Sequence, residues 1–257
     1  MNNPIEVGEI NGIQVVKAGK EGPNILLLHP AGQPPLEMGE HLQQLSEAGQ
    51  VYAPNIYDLI ASLRRRGNKN PSFADVVNEF SKLDLINKHA KTGLVAASFG
   101  GSFAWEYAFQ NPKEVDFITA GSPTGIPLHR SLFWWVSEFL KEYVWEHTTQ
   151  VPRDLRKKDP GPKSFIRQML RNFPAVMHGL KLAMVDDARE KLSNIQQPVD
   201  LLWGRKDNYI PLHTGVDMQN LLPNARLEVV SEYNHNWFMY EPAKLTSPTV
   251  QKATAGR

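Results

Sequence analysis

The stretch Gly93-Leu-Val-Ala-Ala-Ser-Phe-Gly-Gly101 constrains this chain more than any other. Leu94 to Ala97 form an apolar run suited to a short buried strand. From Gly100 onward, Gly-Gly-Ser-Phe-Ala-Trp-Glu-Tyr-Ala-Phe suits the start of an amphipathic helix. Ser98 then falls on a tight turn from strand to helix. Such a turn crowds the positions two before and two after the serine, and both carry minimal side chains here, Ala96 and Gly100. The hydroxyl is pushed out of the turn, beside the free N–H groups of a helix N-terminus, which favour developing negative charge. A nucleophile needs that setting. The same residues also fit a serine that only caps a helix, so the rest of the chain has to decide.

The order of segments predicts an α/β fold. Asn11-Gly12 between Ile5–Ile10 and Ile13–Ala18 predicts a tight β-hairpin, because both central residues of that turn need positive φ. Ile25 to Leu28 reads as a strand covered on both faces, ending at the loop His29-Pro-Ala-Gly-Gln-Pro-Pro35. Leu36 to Ala48 has helical spacing, Val51 to Ala53 is a short strand, and Arg64-Arg65-Arg66 reads as part of a solvated loop with no function assigned. Ser72 to His89 reads as a helix whose first turn Ser72 or Asp75 can serve. After the Ser98 segment come a strand at Val115 to Thr119 and later ones at Val199 to Trp203 and Arg226 to Val230. The expected architecture is a mostly parallel central sheet with helices on both faces.

Strand and helix stop alternating between about 122 and 197. Helical stretches at Ser131–His147, Ser164–Arg171 and Ala175–Lys191 are separated by Pro-rich links such as Asp159-Pro-Gly-Pro162. The predicted organisation is therefore an α/β core in two parts, 1–121 and 198–245, with an all-helical cap inserted at 122–197. Residues 246–257 are polar, contain Pro and Gly, show no period, and are expected to be a frayed tail.

Composition removes several function classes. With 28 Lys plus Arg against 27 Asp plus Glu, the formal charge is +1, which gives no field for nucleic acid or an acidic partner. The chain has no Cys, so a thiol nucleophile, a disulfide scaffold and a cysteine-ligated metal are excluded. Its 8 histidines show no ligand spacing with a partner carboxylate, and neither metal nor cofactor is expected. No apolar run approaches the roughly 20 residues of a membrane span, and the start of the chain lacks a signal-peptide pattern. A soluble, cytoplasmic protein of unspecified oligomeric state is the expectation.

Three loops that each follow a predicted parallel strand carry Ser98, Asp207 and His235. A serine hydroxyl is a weak nucleophile that needs an imidazole as base, and a buried carboxylate on the far ring nitrogen fixes that imidazole's tautomer. Asp207 could instead cap a turn and His235 could be a core histidine; Glu232 and the histidines at 29, 41 and 213 are rival bases. Here the sequence resembles the α/β-hydrolase superfamily over nearly all of its length apart from the inserted segment and the tail. Leu201-Leu-Trp-Gly-Arg-Lys-Asp-Asn-Tyr-Ile-Pro211 is similar to that family's acid loop, Asn234-His235-Asn-Trp-Phe-Met-Tyr-Glu-Pro242 to its histidine loop, and His29-Pro-Ala-Gly to its oxyanion loop. The resemblance implies a catalytic triad of Ser98, Asp207 and His235, with the backbone N–H groups of Ala31 and Phe99 as the oxyanion hole. The family's usual Gly is replaced by Ala96, Asn234 and Pro30.

Substrate choice is assigned to the inserted segment. Its stretch from Leu132 to Trp145 has an apolar helical face, with Trp134 and Trp145 off it, and Met177 belongs to a second apolar run. Trp134, Trp145 and Met177 are accordingly the expected substrate contacts. The function expected is a cofactor-free serine hydrolase, carboxylesterase- or lipase-like, acting on an ester or related acyl bond of a small apolar molecule. The alternatives are a carbon–carbon-bond hydrolase, a thioesterase, an N-terminal peptidase, or a receptor-like binder of the same fold.

Overall fold

The computed structural model describes residues 3–86, 90–131 and 161–255, with positions 133, 134, 137, 138 and 141. One eight-stranded sheet runs in the order β1-β2-β4-β3-β5-β6-β7-β8. The strands are β1 (Ile5–Ile10), β2 (Ile13–Ala18), β3 (Asn24–Leu28), β4 (Gln50–Pro54), β5 (Thr92–Ala97), β6 (Val115–Gly121), β7 (Val199–Gly204) and β8 (Ala225–Ser231). β2 is antiparallel to β1 and β4, and every other pairing is parallel. Asn11 and Gly12 turn the opening hairpin with φ of 55° and 78°, the left-handed values expected of that dipeptide.

Successive side chains of a strand point to opposite faces, so the apolar runs divide between two cores. Leu26, Leu28, Leu94 and Ala96 pack with α2 (Ile56–Arg65), α3 (Phe73–Ser81) and α4 (Gly100–Gln110) on one face. Ile25, Leu27, Val95 and Ala97 pack on the other with Leu42 and Leu45 of α1 (Gly39–Leu45) and with the C-terminal segment. The start of α3 is closed by a reciprocal cap. Ser72 Oγ accepts from the Asp75 N–H while Asp75 accepts from the Ser72 N–H, an arrangement worth roughly 1 kcal/mol.

Between β6 and β7 the described residues contain no strand. They contain α5 (Gly161–Val185) and α6 (Arg189–Leu192). α5 is broken at Asn172 (φ −142°, ψ 44°), two residues before Pro174. Proline lacks an N–H and its ring clashes with the carbonyl four residues back, which is why the two expected helices, 164–171 and 175–191, meet at this point. The second of them stops at Val185 rather than Lys191. The expected helix at 131–147 lies largely outside the described residues, as does Trp145.

Two expectations are corrected. Arg64 and Arg65 end a helix, Ile56–Arg65, rather than lying in a loop. Asn55 caps it by accepting from the Tyr57 N–H, and Arg64 and Arg65 sit in its last turn, where cations complement the helix dipole. The supposed frayed tail is also helical: after α7 (Leu212–Leu221) and the single turn α8 (Trp237–Tyr240), α9 runs from Pro242 to Thr254. Pro242 starts this helix, where its missing N–H costs nothing. Leu245, Thr246, Thr249 and Ala253 form its buried face. Thr249 Oγ1 bonds Thr119 Oγ1 of β6 at 2.9 Å, and Lys252 reaches buried Asp200 of β7 at 2.7 Å. A buried face that is half threonine carries only a weak hydrophobic period, so the sequence pattern did not reveal it.

Candidate active site

In this sheet order the chain leaves β3 toward one side and returns to β5 on the other, so the loops after β3 and β5 meet at a topological switch point. Such points, at the carboxyl edge of a parallel sheet, are where ligands bind. Ser98 lies there in the left-handed region at φ 49°, a conformation that costs a non-glycine residue on the order of 1–3 kcal/mol. Its surroundings over-determine it. The Ser98 N–H donates to Gly121 O at 2.9 Å, and its carbonyl accepts from the N–H groups of Gly101 (2.8 Å) and Thr124 (3.0 Å) and from the Thr124 hydroxyl (3.2 Å). A Cβ on Gly100 would lie 2.4 Å from Leu28 O, and one on Gly101 would lie 2.3 Å from Pro123 Cβ, so both glycines are required for helix α4 to seat this close to the sheet.

The two other chain segments converge on this serine. His235 Nε2 lies 2.8 Å from Ser98 Oγ, and His235 Nδ1 lies 2.8 Å from Asp207 Oδ2. The second Asp207 oxygen accepts from the Ile210 N–H at 2.9 Å, and Ile210 O in turn accepts from the Trp203 indole at 2.8 Å. A carboxylate only accepts, so it holds the proton on Nδ1 and leaves Nε2 to accept from the serine hydroxyl. All three side chains are buried, and the imidazole is wedged between Tyr209 (centroids 5.2 Å apart) and the edge of Phe238 (5.9 Å).

The rival bases are engaged elsewhere. His29 is fully buried; its Nε2 accepts from the Ile56 N–H at 2.9 Å, so Nδ1–H donates to Pro30 O at 2.8 Å. His41 bonds Phe238 O through Nε2 at 3.0 Å. Burial lowers both imidazoles to a pKa of about 4. His213 is exposed, and Glu232 pairs on the surface with Arg205. Neither Asp58 nor Asp186 reaches His235. Asp58 accepts from Gln14 N–H and from the Asn172 and Arg171 side chains, tying α2 to the break in α5, and its carboxyl is pushed up chiefly by burial.

Ala31 is half-buried on the loop after β3, and Phe99 follows the serine directly. Among the described residues no acceptor bonds the backbone N–H of either one. The two loops are joined by Tyr57, a residue sequence reasoning did not single out. Its hydroxyl accepts from the Gly32 N–H at 3.3 Å while its ring stacks on Phe99 at 5.3 Å and 11°. The only hint in the sequence is an aromatic residue two positions after a helix-capping Asn, which signals nothing about a site 42 residues ahead. Trp134 is half-buried with the Arg130 guanidinium 5.1 Å over its ring. Met177, also half-buried, lies two residues before Gly179, where α5 rests on the rings of Tyr57 and Phe99; a Cβ on Gly179 would lie 3.0 and 3.2 Å from them.

The sequence profile of the alpha/beta hydrolase fold matches residues 58–242. The chain belongs to that family. It is 22% identical to a pimeloyl-[acyl-carrier protein] methyl ester esterase of Vibrio atlanticus over 252 residues, 91% of this chain and 95% of that one. It is 24% identical to a 2-hydroxymuconate semialdehyde hydrolase of Pseudomonas putida over 286 aligned positions, 99% of this chain and 98% of the relative. Among solved structures, a hydrolase from Oleispira antarctica superposes with a TM-score of 0.71 at 15% identity, covering 93% of each chain. As an alpha/beta hydrolase, the chain carries the fold class expected from its segment order.

Proposed function

We infer that this alpha/beta hydrolase is a serine esterase that acts without a cofactor on a small, largely apolar ester. The observation that carries the reading is the unbroken hydrogen-bonded series Ser98–His235–Asp207, 2.8 Å at each link. Ser98 Oγ attacks the ester carbonyl as His235 Nε2 takes its proton. Asp207 stabilises the resulting imidazolium, and the N–H groups of Ala31 and Phe99 hold the oxyanion. The imidazolium then returns the proton to the leaving alkoxide, and water hydrolyses the acyl-enzyme by the same steps in reverse order. The methyl ester esterase relatives support an ester as the bond cleaved. The segment inserted between β6 and β7 is read as a cap over this chemistry, with Trp134 and Met177 as candidate substrate contacts.

A second reading, hydrolysis of a carbon–carbon bond, is supported by the 2-hydroxymuconate semialdehyde hydrolase relative. Incubation with p-nitrophenyl esters of graded chain length, alongside a ring-cleavage type diketone acid, separates the two. Fluorophosphonate labelling should map to Ser98, and Ser98→Ala should lose labelling and at least about a thousandfold of ester turnover. Undiminished turnover in folded Ser98→Ala would remove the nucleophile assignment. A wild-type protein that labels but cleaves only the diketone would select the second reading.

A further inference from the structure

The Ser98 carbonyl is the end of a line of side chains that the chemistry above leaves unused. Thr124 Oγ1 donates to that carbonyl at 3.2 Å, and Ser102 Oγ, one turn into α4, lies 2.8 Å from Thr124 Oγ1. Ser102 and Thr124 are both buried. Beside Ser102 stands Asp186, directly after the end of α5. The neck of the inserted segment is laced together here, Ala188 N–H to Gly125 O at 2.7 Å and Leu128 N–H to Met184 O at 3.4 Å. We propose that Thr124 and Ser102 are positioning residues, forming a hydroxyl relay that holds the strained Ser98 backbone for attack, and that Asp186 sets the direction of the relay from the neck of the cap.

The direction follows from counting hydrogens. Each hydroxyl has one to give. When Thr124 gives its hydrogen to the Ser98 carbonyl, Ser102 must give its own to Thr124, and Ser102 is then free only to accept. A neutral Asp186 carboxyl supplies a donor and completes the series. An ionised Asp186 can only accept; it draws the Ser102 hydrogen to itself, Thr124 turns toward Ser102, and the Ser98 carbonyl keeps its backbone donors alone.

The surroundings raise the Asp186 carboxyl above its ordinary value, toward the neutral form. Asp186 Oδ2 is buried with no hydrogen-bond partner among the described residues. The charged groups facing Asp186 are Glu106 on α4, Lys191 on α6 and its neighbour Asp187. Burial, Glu106 and Asp187 push the Asp186 carboxyl up, against Lys191 and the Ser102 hydroxyl. Lys191 is itself engaged by Glu106 at 2.6 Å, and Asp187 by Arg189 at 2.5 Å. Bistable hydrogen-bonded lines of this kind transmit a change at one end to the other without moving the backbone far.

The proposal rests on Ser98 being the nucleophile, and the test separates the two. Thr124→Val keeps the backbone N–H and the shape but removes the hydroxyl. It should lower kcat for a p-nitrophenyl ester and the fluorophosphonate labelling rate together by roughly 10- to 100-fold, with KM within about twofold. Thr124→Ser, which restores the hydroxyl, should return to within about threefold of wild type, a rescue that packing alone would not produce. Asp186→Asn carries a permanent donor, so its kcat divided by that of wild type should exceed one and climb with pH toward about tenfold. Wild-type kcat in folded Thr124→Val would overturn the relay. Should that variant not fold, unchanged kcat in Ser102→Ala with an Asp186→Asn ratio of one at every pH would overturn it equally. Failure of the nucleophile assignment reads differently, as ester turnover surviving in Ser98→Ala whatever Thr124 does.

Discussion

The loops after β3 and β8 each place a buried histidine at the carboxyl edge of the sheet, and the two imidazoles do opposite things. Both nitrogens of His29 are spent on backbone groups, the Ile56 N–H and Pro30 O, so this ring pins the loop after β3 to the start of α2 and stays neutral. Both nitrogens of His235 face side chains that can trade protons, Ser98 and Asp207. A ring whose partners are peptide groups can gain a proton only by losing a bond. A ring between a hydroxyl and a carboxylate gains one while its partners become better matched to it. Residue type and burial are shared; the partners decide the role.

Substitution of the two histidines is the strongest way to break that contrast. His235→Ala should lower ester turnover on the order of 10⁴-fold with little change in thermal midpoint. His29→Ala should instead cost roughly 2–4 kcal/mol of stability, through two unpaired backbone groups and a cavity. Equal losses of activity in the two variants, at equal stability, would erase the distinction. Next in size is Asp207→Asn. Its amide can present N–H to the ring and favour the wrong tautomer, so kcat should fall on the order of 10³-fold with the fold retained. A variant within tenfold of wild type would mean that the carboxylate only positions the loop through Ile210.

Acid titration sharpens the other side of the contrast. His29 and His41 have folded pKa values near 4 against 6.5 when unfolded, so between these limits the unfolded chain binds more protons than the native one. Stability therefore rises with pH across this window. It is complete above about 6.5 and is lost as the pH falls toward 4, by about 3 kcal/mol per histidine. Urea unfolding at pH 7, 6, 5 and 4 measures it, and His41→Gln should remove about half of the slope. A slope unaffected by His41→Gln would place the titrating groups elsewhere. The smallest effect concerns backbone strain at Ser98. Ser98→Gly and Ser98→Ala both lack the hydroxyl, yet only alanine keeps a Cβ at φ 49°, so the glycine variant should be the more stable by about 1 kcal/mol. Equal melting temperatures would show that the turn holds no strain.

Ser98, Asp207 and His235 were legible in the chain because each lies in a loop just after a strand, β5, β7 or β8, and these strand ends share one edge of a parallel sheet. Local pattern is enough for that much: period-two apolar runs, Asn-Gly turns, small residues flanking the serine and a proline inside a helical run all act over a few residues. Helix α2 was missed because its polar caps and arginine-rich end read as loop, and most of α9 because half of its buried face is threonine. Tyr57, Thr124, Ser102 and Asp186 were not legible at all. Tyr57 joins two loops far apart in sequence, and the Thr124 and Ser102 hydroxyls reach the Ser98 carbonyl across |98 − 124| = 26 positions. Hydrogen bonds of that span follow from how the strands are ordered and how closely α4 seats on the sheet, which are properties of the assembled core. The amino-acid sequence by itself determined the sheet, the serine turn and its two partners, whereas only the tertiary structure decided which histidine meets both Ser98 and Asp207 and what holds the serine in place, because both depend on which distant groups share a buried site.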